Sequence, residues 1–270
     1  MQQVKSLWLG RFREPTKLAL KVTCGITLAT YLILIFQRMF FDGQVGVHEM
    51  MRPEGGIIAQ IMLISLFSSL VLAGVYFSDT RGEIEPDNSG PFDIVSLICS
   101  RIAMISIVFI EIVMFYEVVS RYVFSRPTLW ANELSLWIAS FLFLLAGMYA
   151  MQQRSHIRIF IIYEMFPRWA KKAADTFSVF LIVVFSTCLV WGAFDEAVVK
   201  FERFERFGTA WDPPIPATVK PAILIIICMV TLQAVSNLIA DWNKEDVKHT
   251  PADEVDQTEI ENIRKTLEDR

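Results

Sequence analysis

Six long runs of hydrophobic residues divide the chain, and short polar segments separate them. A helix rises about 1.5 Å per residue and the hydrocarbon core of a bilayer is about 30 Å thick, so roughly 20 apolar residues can cross it. Because backbone groups in lipid must be hydrogen-bonded internally, unbroken runs of this length favour helices over barrel strands. The pattern therefore predicts an all-α polytopic membrane protein with six transmembrane helices, at approximately 22–41, 57–77, 97–119, 133–151, 177–198 and 221–240.

The distribution of Lys and Arg predicts the orientation in the membrane. Segments 1–21 and 152–176 hold five basic residues each, more than any segment on the opposite side. Because basic residues collect in cytoplasmic loops, we expect both termini in the cytoplasm. Loop 200–220 argues mildly against this orientation, since it places four basic residues in the periplasm. The apolar run 22–41 is too long for a cleavable signal, so we expect it to remain as an anchor.

Composition divides the chain into four parts. Residues 1–77 form an N-terminal extension with two transmembrane helices, and residues 94–242 form a unit of four helices. Between them, 78–93 is a polar segment with two Pro and two Gly, which predicts a cytoplasmic linker. Residues 243–270 form a charged cytoplasmic tail, whose composition fits either a short solvated helix or disorder.

Composition also narrows the classes of function. The chain is 54% hydrophobic and its pI is about 5.5, without a basic patch among aromatics, so nucleic-acid binding has no support. None of His48, His156 and His249 falls at mid-membrane, so a bis-histidine haem would lack ligands. P-loop, GxSxG and di-metal motifs are absent, and we expect no catalytic, cofactor or metal site. The four cysteines lie in or beside apolar runs and are predicted to be small buried residues.

Glu111 is the ionisable residue nearest the middle of a predicted span. An intramembrane carboxylate is a functional candidate whose partner has to be identified. Arg101, on the same helix, is ten residues away and so about 15 Å along the axis, which is too far to pair. Glu111 is therefore interpreted either as a polar contact between helices, within this chain or with another subunit, or as a transport residue. Its neighbour Glu117 lies near the periplasmic end, where we expect water to reach it.

Residues 200–207 read KFERFERF, with a phenylalanine at every third position. This spacing predicts that the fifth helix continues as an amphipathic helix on the membrane surface until WDPPIP, at 211–216, ends it. The segment is either an interfacial anchor or a platform for a periplasmic partner. Its candidate contact residues are Phe201, Arg203, Phe204 and Arg206.

The stretch SRYVFSRPTLWANELSLWIASFLFLLAGMYAMQQRSHIRI, at 120–159, resembles the small transmembrane subunit of TRAP transporters, the DctQ-like family. The residues that carry the resemblance are Arg121, Tyr122, Val123, Phe124, Trp130, Glu133, Gly147, Arg154 and His156. Two features depart from the family pattern. Asn132 stands where the family usually has an acid, and the two N-terminal spans lie outside the usual four-helix unit. The resemblance covers about 150 residues.

The resemblance implies a non-catalytic membrane subunit in the bacterial inner membrane. In such transporters a periplasmic substrate-binding protein delivers an organic anion to a large, DctM-like membrane subunit, which transports it together with sodium by an elevator-like motion. The small subunit holds the immobile scaffold of the large one and contributes to the periplasmic docking surface. Sodium and substrate sites are therefore expected on the large subunit rather than on this chain.

The chemistry of several residues in this stretch suggests what they contact. Arg121 is expected to pair with Glu133, with lipid headgroups or with a partner, and Pro127 ends the helix between them. Trp130 and Trp137 suit the membrane interface, where the indole N–H stays wet.

The cytoplasmic end of the same stretch suggests contacts with helices and lipids. Gly147 lets a neighbouring helix approach closely, and His156 is predicted to be a capping or interfacial group. The basic segment 154–172 suits an amphipathic surface helix that binds lipid phosphates.

Two other functions remain open at this stage. A membrane-anchor subunit of a respiratory enzyme would need haem ligands, and histidines at mid-membrane are missing. An independent six-helix carrier or channel would need paired polar groups or broken helices at mid-membrane, and only Glu111 comes near this requirement.

Overall fold

The computed structural model of the protein describes residues 6–40, 56–80, 82, 85, 90–153 and 166–243. Six of its helices are long and apolar enough to cross a membrane, which confirms the predicted all-α polytopic architecture. After a short 3-10 helix at Gly10–Phe12, these are α1 (Arg13–Phe40), α2 (Ile57–Ser78), α3 (Pro91–Tyr122), α4 (Ala131–Gln152), α5 (Arg168–Glu202) and α6 (Ile215–Asp241). The predicted tail and the segment 154–165 lie outside the described residues.

The helices are joined in a row. α1 packs on α2, α2 on α3, α3 on α4, α4 on α6 and α6 on α5, while α3 and α6 touch only slightly. The two helices at the ends of the row, α1 and α5, each have one main neighbour and are largely exposed along their apolar stretches. Such a row leaves two broad apolar surfaces that lipid or another membrane protein must cover.

Small residues allow close contacts along the row. A Cβ added at Gly74 of α2 would lie 2.5 Å from Cγ1 of Ile102 on α3, so the two helices touch at a point where only glycine fits. Between α5 and α6, the hydroxyl groups of Ser186 and Thr231 form a hydrogen bond of 2.6 Å. Close packing and hydrogen bonds of this kind drive helix association in lipid, where the hydrophobic effect does not.

The segment predicted to be a cytoplasmic linker, 78–93, contains a fully buried carboxylate, Asp79, near its start. Its Oδ1 accepts hydrogen bonds from the hydroxyl of Ser6 and from the backbone N–H groups of Leu7, Trp8 and Leu9, at 2.9–3.0 Å. Burial alone would raise the pKa of Asp79, but these hydrogen bonds hold the pKa below its ordinary value. The carboxylate of Asp79 thus connects the end of α2 to residues 6–9, which precede α1.

Glu85 makes a second buried contact within the same segment. Its Oε2 accepts hydrogen bonds from Nη2 of Arg101 at 2.8 Å and from the backbone N–H of Gly82 at 2.9 Å, and its Oε1 accepts one from the Tyr149 hydroxyl at 3.1 Å. Burial opposes ionisation, yet the hydrogen bond from Gly82, the Arg101 guanidinium and the Tyr149 hydroxyl together lower the pKa of Glu85. This Glu85 cluster (Glu85, Arg101 and Tyr149) ties the segment after α2 to α3 and α4.

A buried amide network joins α6 to α3 and α4. Gln233 is fully buried, and its Nε2 donates hydrogen bonds to Asp93 at 2.6 Å and to Asn237 at 3.0 Å. Its Oε1 accepts a hydrogen bond from the Ser96 hydroxyl at 3.1 Å, and Asn237 donates one to the carbonyl of Met151 at 2.7 Å. Since Asp93 stands in the first turn of α3, that helix begins inside the predicted linker.

The cysteines differ in their surroundings. Cys99 is buried as predicted, whereas Cys24, Cys188 and Cys228 are exposed, and all four are free thiols. The prediction of burial is wrong for these three because their helices present them to the outside of the row.

Candidate functional site at the α3–α4 loop

The loop that joins α3 to α4, residues 123–130, makes a tight turn. Ser125 has a φ of 54°, in the left-handed region that few side chains adopt, and Arg126 donates its backbone N–H to the carbonyl of Ser120 at 2.9 Å. Pro127 follows and cannot continue a helix. The turn leaves the side chains of Val123 and Phe124 exposed, at 70% and 67%.

Glu117 is the carboxylate around which the α3–α4 loop is built. It is 3% exposed, which contradicts the expected access of water. Its Oε1 accepts a hydrogen bond of 2.9 Å from Nε of Arg121, one turn later in α3. Its Oε2 accepts hydrogen bonds from the hydroxyl of Thr128 and, at 2.9 Å, from the Thr128 backbone N–H. The returning loop thus satisfies and covers the carboxylate.

Arg121 therefore does not pair with Glu133, which was one of its three predicted partners. Arg121 forms its ion pair with Glu117 on the same helix instead, and half of the Arg121 side chain stays exposed. An arginine held in this way still presents N–H groups at the surface, where a headgroup or a partner carboxylate can accept them.

Glu133 lies in the first turn of α4, where the helix dipole favours a negative charge. Its Oε1 is 3.5 Å from the backbone nitrogen of Trp211, and its Oε2 is buried without a hydrogen-bond partner among the described residues. Trp211 is 2% exposed and belongs to the loop between α5 and α6. The two loops therefore meet at one end of the molecule.

Aromatic rings fill the space between these loops. Trp130 is 7% exposed and stacks on Tyr116, with ring centroids 5.9 Å apart. Trp137 meets Trp211 edge to face at 6.3 Å, and its indole N–H donates a hydrogen bond of 2.8 Å to the Thr218 hydroxyl. The prediction of a wet indole N–H is wrong for Trp137, because this N–H is hydrogen-bonded inside the chain. The location of both tryptophans at the membrane interface stays a prediction.

The α5–α6 loop is shaped differently from the prediction. Helix α5 ends at Glu202, and Phe204 takes a left-handed φ of 47° while Glu205 donates its backbone N–H to the carbonyl of Lys200. The prediction that the fifth helix continues as an amphipathic helix until residues 211–216 is therefore wrong. Phe201 and Phe204 nevertheless remain exposed, at 61% and 51%.

The basic residues of this loop are also at the surface. Arg203 is exposed just after α5, and a guanidinium nitrogen of Arg206 lies 3.9 Å from a carboxylate oxygen of Asp212. On the neighbouring α3–α4 loop, an open groove of about 570 Å³ is lined by Tyr116, Val119, Ser120, Phe124 and Arg126. Exposed aromatic and arginine side chains from two loops thus share one end of the protein.

The remaining predicted residues lie apart from this end. Gly147 is exposed, and a Cβ added there would meet nothing within 4 Å, so no helix among the described residues makes the expected close approach. Glu111 is exposed in the middle of α3. Arg154 and His156 lie outside the described residues.

Sequence reasoning missed Glu117, Thr128 and Trp211 as parts of the site. A sequence signal for Thr128 does exist: threonine is a common N-cap residue, and Thr128 accepts a hydrogen bond of 3.4 Å from the N–H of Ala131 at the start of α4. This signal could have directed attention to the α3–α4 loop and to Glu117. The contact of Trp211 has no local signal, because its partner lies 78 residues away in the chain.

Comparison with protein families gives one match. The family described as "Tripartite ATP-independent periplasmic transporters, DctQ component" matches residues 110–244, which is half of the 270-residue chain. The matched range starts in the middle of α3 and includes the α3–α4 loop, α4, α5 and α6. No curated protein and no solved structure gives a significant match to the chain.

Proposed function

Because the chain belongs to the DctQ family, and is thus a small membrane subunit of a TRAP transporter, we propose that it is a non-catalytic scaffold for the large transport subunit. In this proposal it also helps to dock a periplasmic substrate-binding protein during sodium-coupled uptake of an organic anion. The observation that supports the scaffold role most strongly is the row of helices, which offers two wide apolar surfaces to a membrane partner.

The docking role is supported by the end of the molecule where the two loops meet. Glu133 and Trp211 connect the loops, so the exposed Phe124, Phe201 and Arg203 are carried on a braced surface. Exposed aromatic and arginine side chains are the residue types that most often dominate binding energy at protein interfaces. In this proposal the chain lies in the bacterial inner membrane, with this surface in the periplasm and both termini in the cytoplasm. The bias of Lys and Arg supports that orientation.

Sodium and substrate would bind to the large, DctM-like subunit in this proposal. This chain would carry no catalytic group and no cofactor, and membrane lipids would cover the surfaces that the large subunit leaves free. An elevator-like transport domain needs a stationary neighbour. A row of helices with buried hydrogen bonds near both ends of α3 suits that task.

Purification from native membranes in mild detergent tests the proposal. We expect a much larger polytopic subunit in roughly equimolar amount. The purified chain alone should move no solute when it is reconstituted in proteoliposomes, and it should show no haem absorption. Recovery of the chain alone together with solute transport would favour an independent carrier, and a haem spectrum would favour a respiratory anchor.

A further inference from the structure

Glu111 lies midway between Arg101 and Arg121 on α3 and has no hydrogen-bond or ion-pair partner inside the described part of the chain. Arg101 and Arg121 are each ten residues away on the same helix, which corresponds to about 15 Å along the axis. Both arginines are engaged elsewhere, Arg101 by Glu85 and Arg121 by Glu117. Each helix neighbour that could neutralise Glu111 is therefore out of reach and already paired.

The side chain of Glu111 lies on the outer surface of the row. Val108 and Phe115, three residues before and four residues after it, are 56% and 71% exposed and share its helix face. Val113 and Glu117, which face the rest of the chain, are 4% and 3% exposed. Glu111 thus stands in the middle of an exposed apolar stripe on a helix that spans the membrane, which we call the Glu111 stripe (Val108, Glu111 and Phe115).

Hydrocarbon cannot cover such a residue without cost. Protonated or ionised, a carboxyl group needs hydrogen-bond partners, and lipid tails offer none. Two structural solutions exist in membranes: water reaches the group, or another protein places a donor against it. Glu111 is about 15 Å along α3 from each of Arg101 and Arg121, which is about half the thickness of the hydrocarbon core, and its neighbours on this face are apolar. This position favours a protein donor over water.

We infer that the Glu111 stripe is a contact surface for the large subunit, whose facing helix presents a hydrogen-bond donor to the Glu111 carboxyl group. This inference rests on the proposed function and adds the location and chemistry of one contact. The surrounding Val108 and Phe115 supply the packing, and the single polar pair fixes the depth and register of the two helices.

Three variants of the intact complex test the inference. Glu111→Gln keeps an acceptor at the same place, and Glu111→Leu removes it. In the third, a photo-crosslinking phenylalanine analogue replaces Phe115, one turn away on the same face. Recovery of the large subunit with the small one is measured after purification from native membranes, together with thermal unfolding of the small subunit alone in detergent.

We expect Glu111→Leu to lower recovery of the large subunit at least tenfold, while Glu111→Gln stays within about threefold of the wild type. Thermal unfolding of the small subunit alone should stay unchanged in both, because Glu111 is exposed and makes no hydrogen bond or ion pair with the described residues. The analogue at position 115 should crosslink to the large subunit, and Glu111→Leu should abolish that crosslink.

Several outcomes would overturn the inference. Normal recovery of Glu111→Leu, crosslinks only to lipid or to a second copy of this chain, or a lowered unfolding temperature of the small subunit alone would each do so. If the wild type itself recovers no large subunit, the proposed function fails as well. If the wild type recovers it and Glu111→Leu does too, the inference alone fails.

Discussion

Removing the Thr128 hydroxyl should destabilise the protein more than removing the charge of Arg121. Both groups donate to the buried carboxylate of Glu117, but they differ in exposure: the Arg121 side chain is 50% exposed, whereas the Thr128 donors act inside the loop. A hydrogen bond to a charged group contributes about 1.5–3 kcal/mol. A half-exposed ion pair contributes less than about 1 kcal/mol after solvent screening.

The isosteric change Thr128→Val leaves the backbone donor in place and removes the hydroxyl donor. It also removes the weak cap on Ala131 at 3.4 Å, so the cost should lie near the upper part of the range, about 2–3 kcal/mol. Such a cost lowers the folding equilibrium constant by roughly 30- to 150-fold. Arg121→Gln should lower it by about fivefold or less.

The assay is reversible unfolding of the detergent-solubilised chain by sodium dodecyl sulfate, followed by tryptophan fluorescence and circular dichroism. Thr128→Ser is the matched control, because it keeps the hydroxyl and should cost about 0.5 kcal/mol or less through its looser rotamer. The reasoning is refuted if Arg121→Gln proves more costly than Thr128→Val, or if Ser and Val at this position cost the same.

Three further predictions concern the contacts along the row. Gly74→Val should push α2 away from Ile102 and destabilise the chain by about 1–3 kcal/mol in the same unfolding assay, whereas Gly74→Ala should cost less; equal costs would contradict the close contact. Glu85 has a pKa below its ordinary value of 4.5, so its contribution is present above that value and is lost as pH falls through the lowered pKa. The unfolding temperature should therefore fall more steeply with acid in the wild type than in Glu85→Gln, and parallel curves would argue against the cluster. Gln233→Leu should cost about 2–4 kcal/mol because it leaves Asp93 buried without that donor, and a neutral result would mean that the network is dispensable.

The membrane spans could be predicted from the sequence because the bilayer sets their length. Apolar runs of about 20 residues have few alternatives in lipid, and all six predicted spans coincide with helices. The ends of the helices were harder to predict. For example, the three-residue spacing of Phe201 and Phe204 suggested that α5 continues. The backbone hydrogen bonds of the turn after Glu202, together with the one from Phe207 to the carbonyl of Pro213, override that period.

The buried partners could not be predicted because they depend on which segments meet. Glu117 looked accessible from its position near a helix end, yet Thr128 returns over it. Asp79 and Glu85 lie in a polar segment whose composition gives no sign of burial, yet each carboxylate accepts hydrogen bonds from other segments of the chain. The pattern of charged residues in a sequence suggests which side chains water can reach. Whether a particular carboxylate is buried depends on which segment of the chain packs over it.

The buried polar contacts of the row lie near the two ends of α3. In the part of the chain that the structure describes, Asp79, Glu85 and Gln233 bind neighbouring segments at the end where α3 begins. Glu117 and Glu133 lie at the opposite end, where α3 stops and α4 starts. Within the first group, the hydrogen bonds of Glu85 with Arg101 and Tyr149 join the segment after α2 to α3 and α4. The two N-terminal helices are thus connected to the other four by side-chain contacts as well as by the chain itself. Buried hydrogen bonds thus lie near both ends of α3, whereas Glu111, between them, is exposed and makes no hydrogen bond or ion pair with the described residues. Substitution of Glu111 should therefore weaken the inferred binding to a membrane partner without destabilising the fold. This residue is thus the place where assembly can be tested separately from stability.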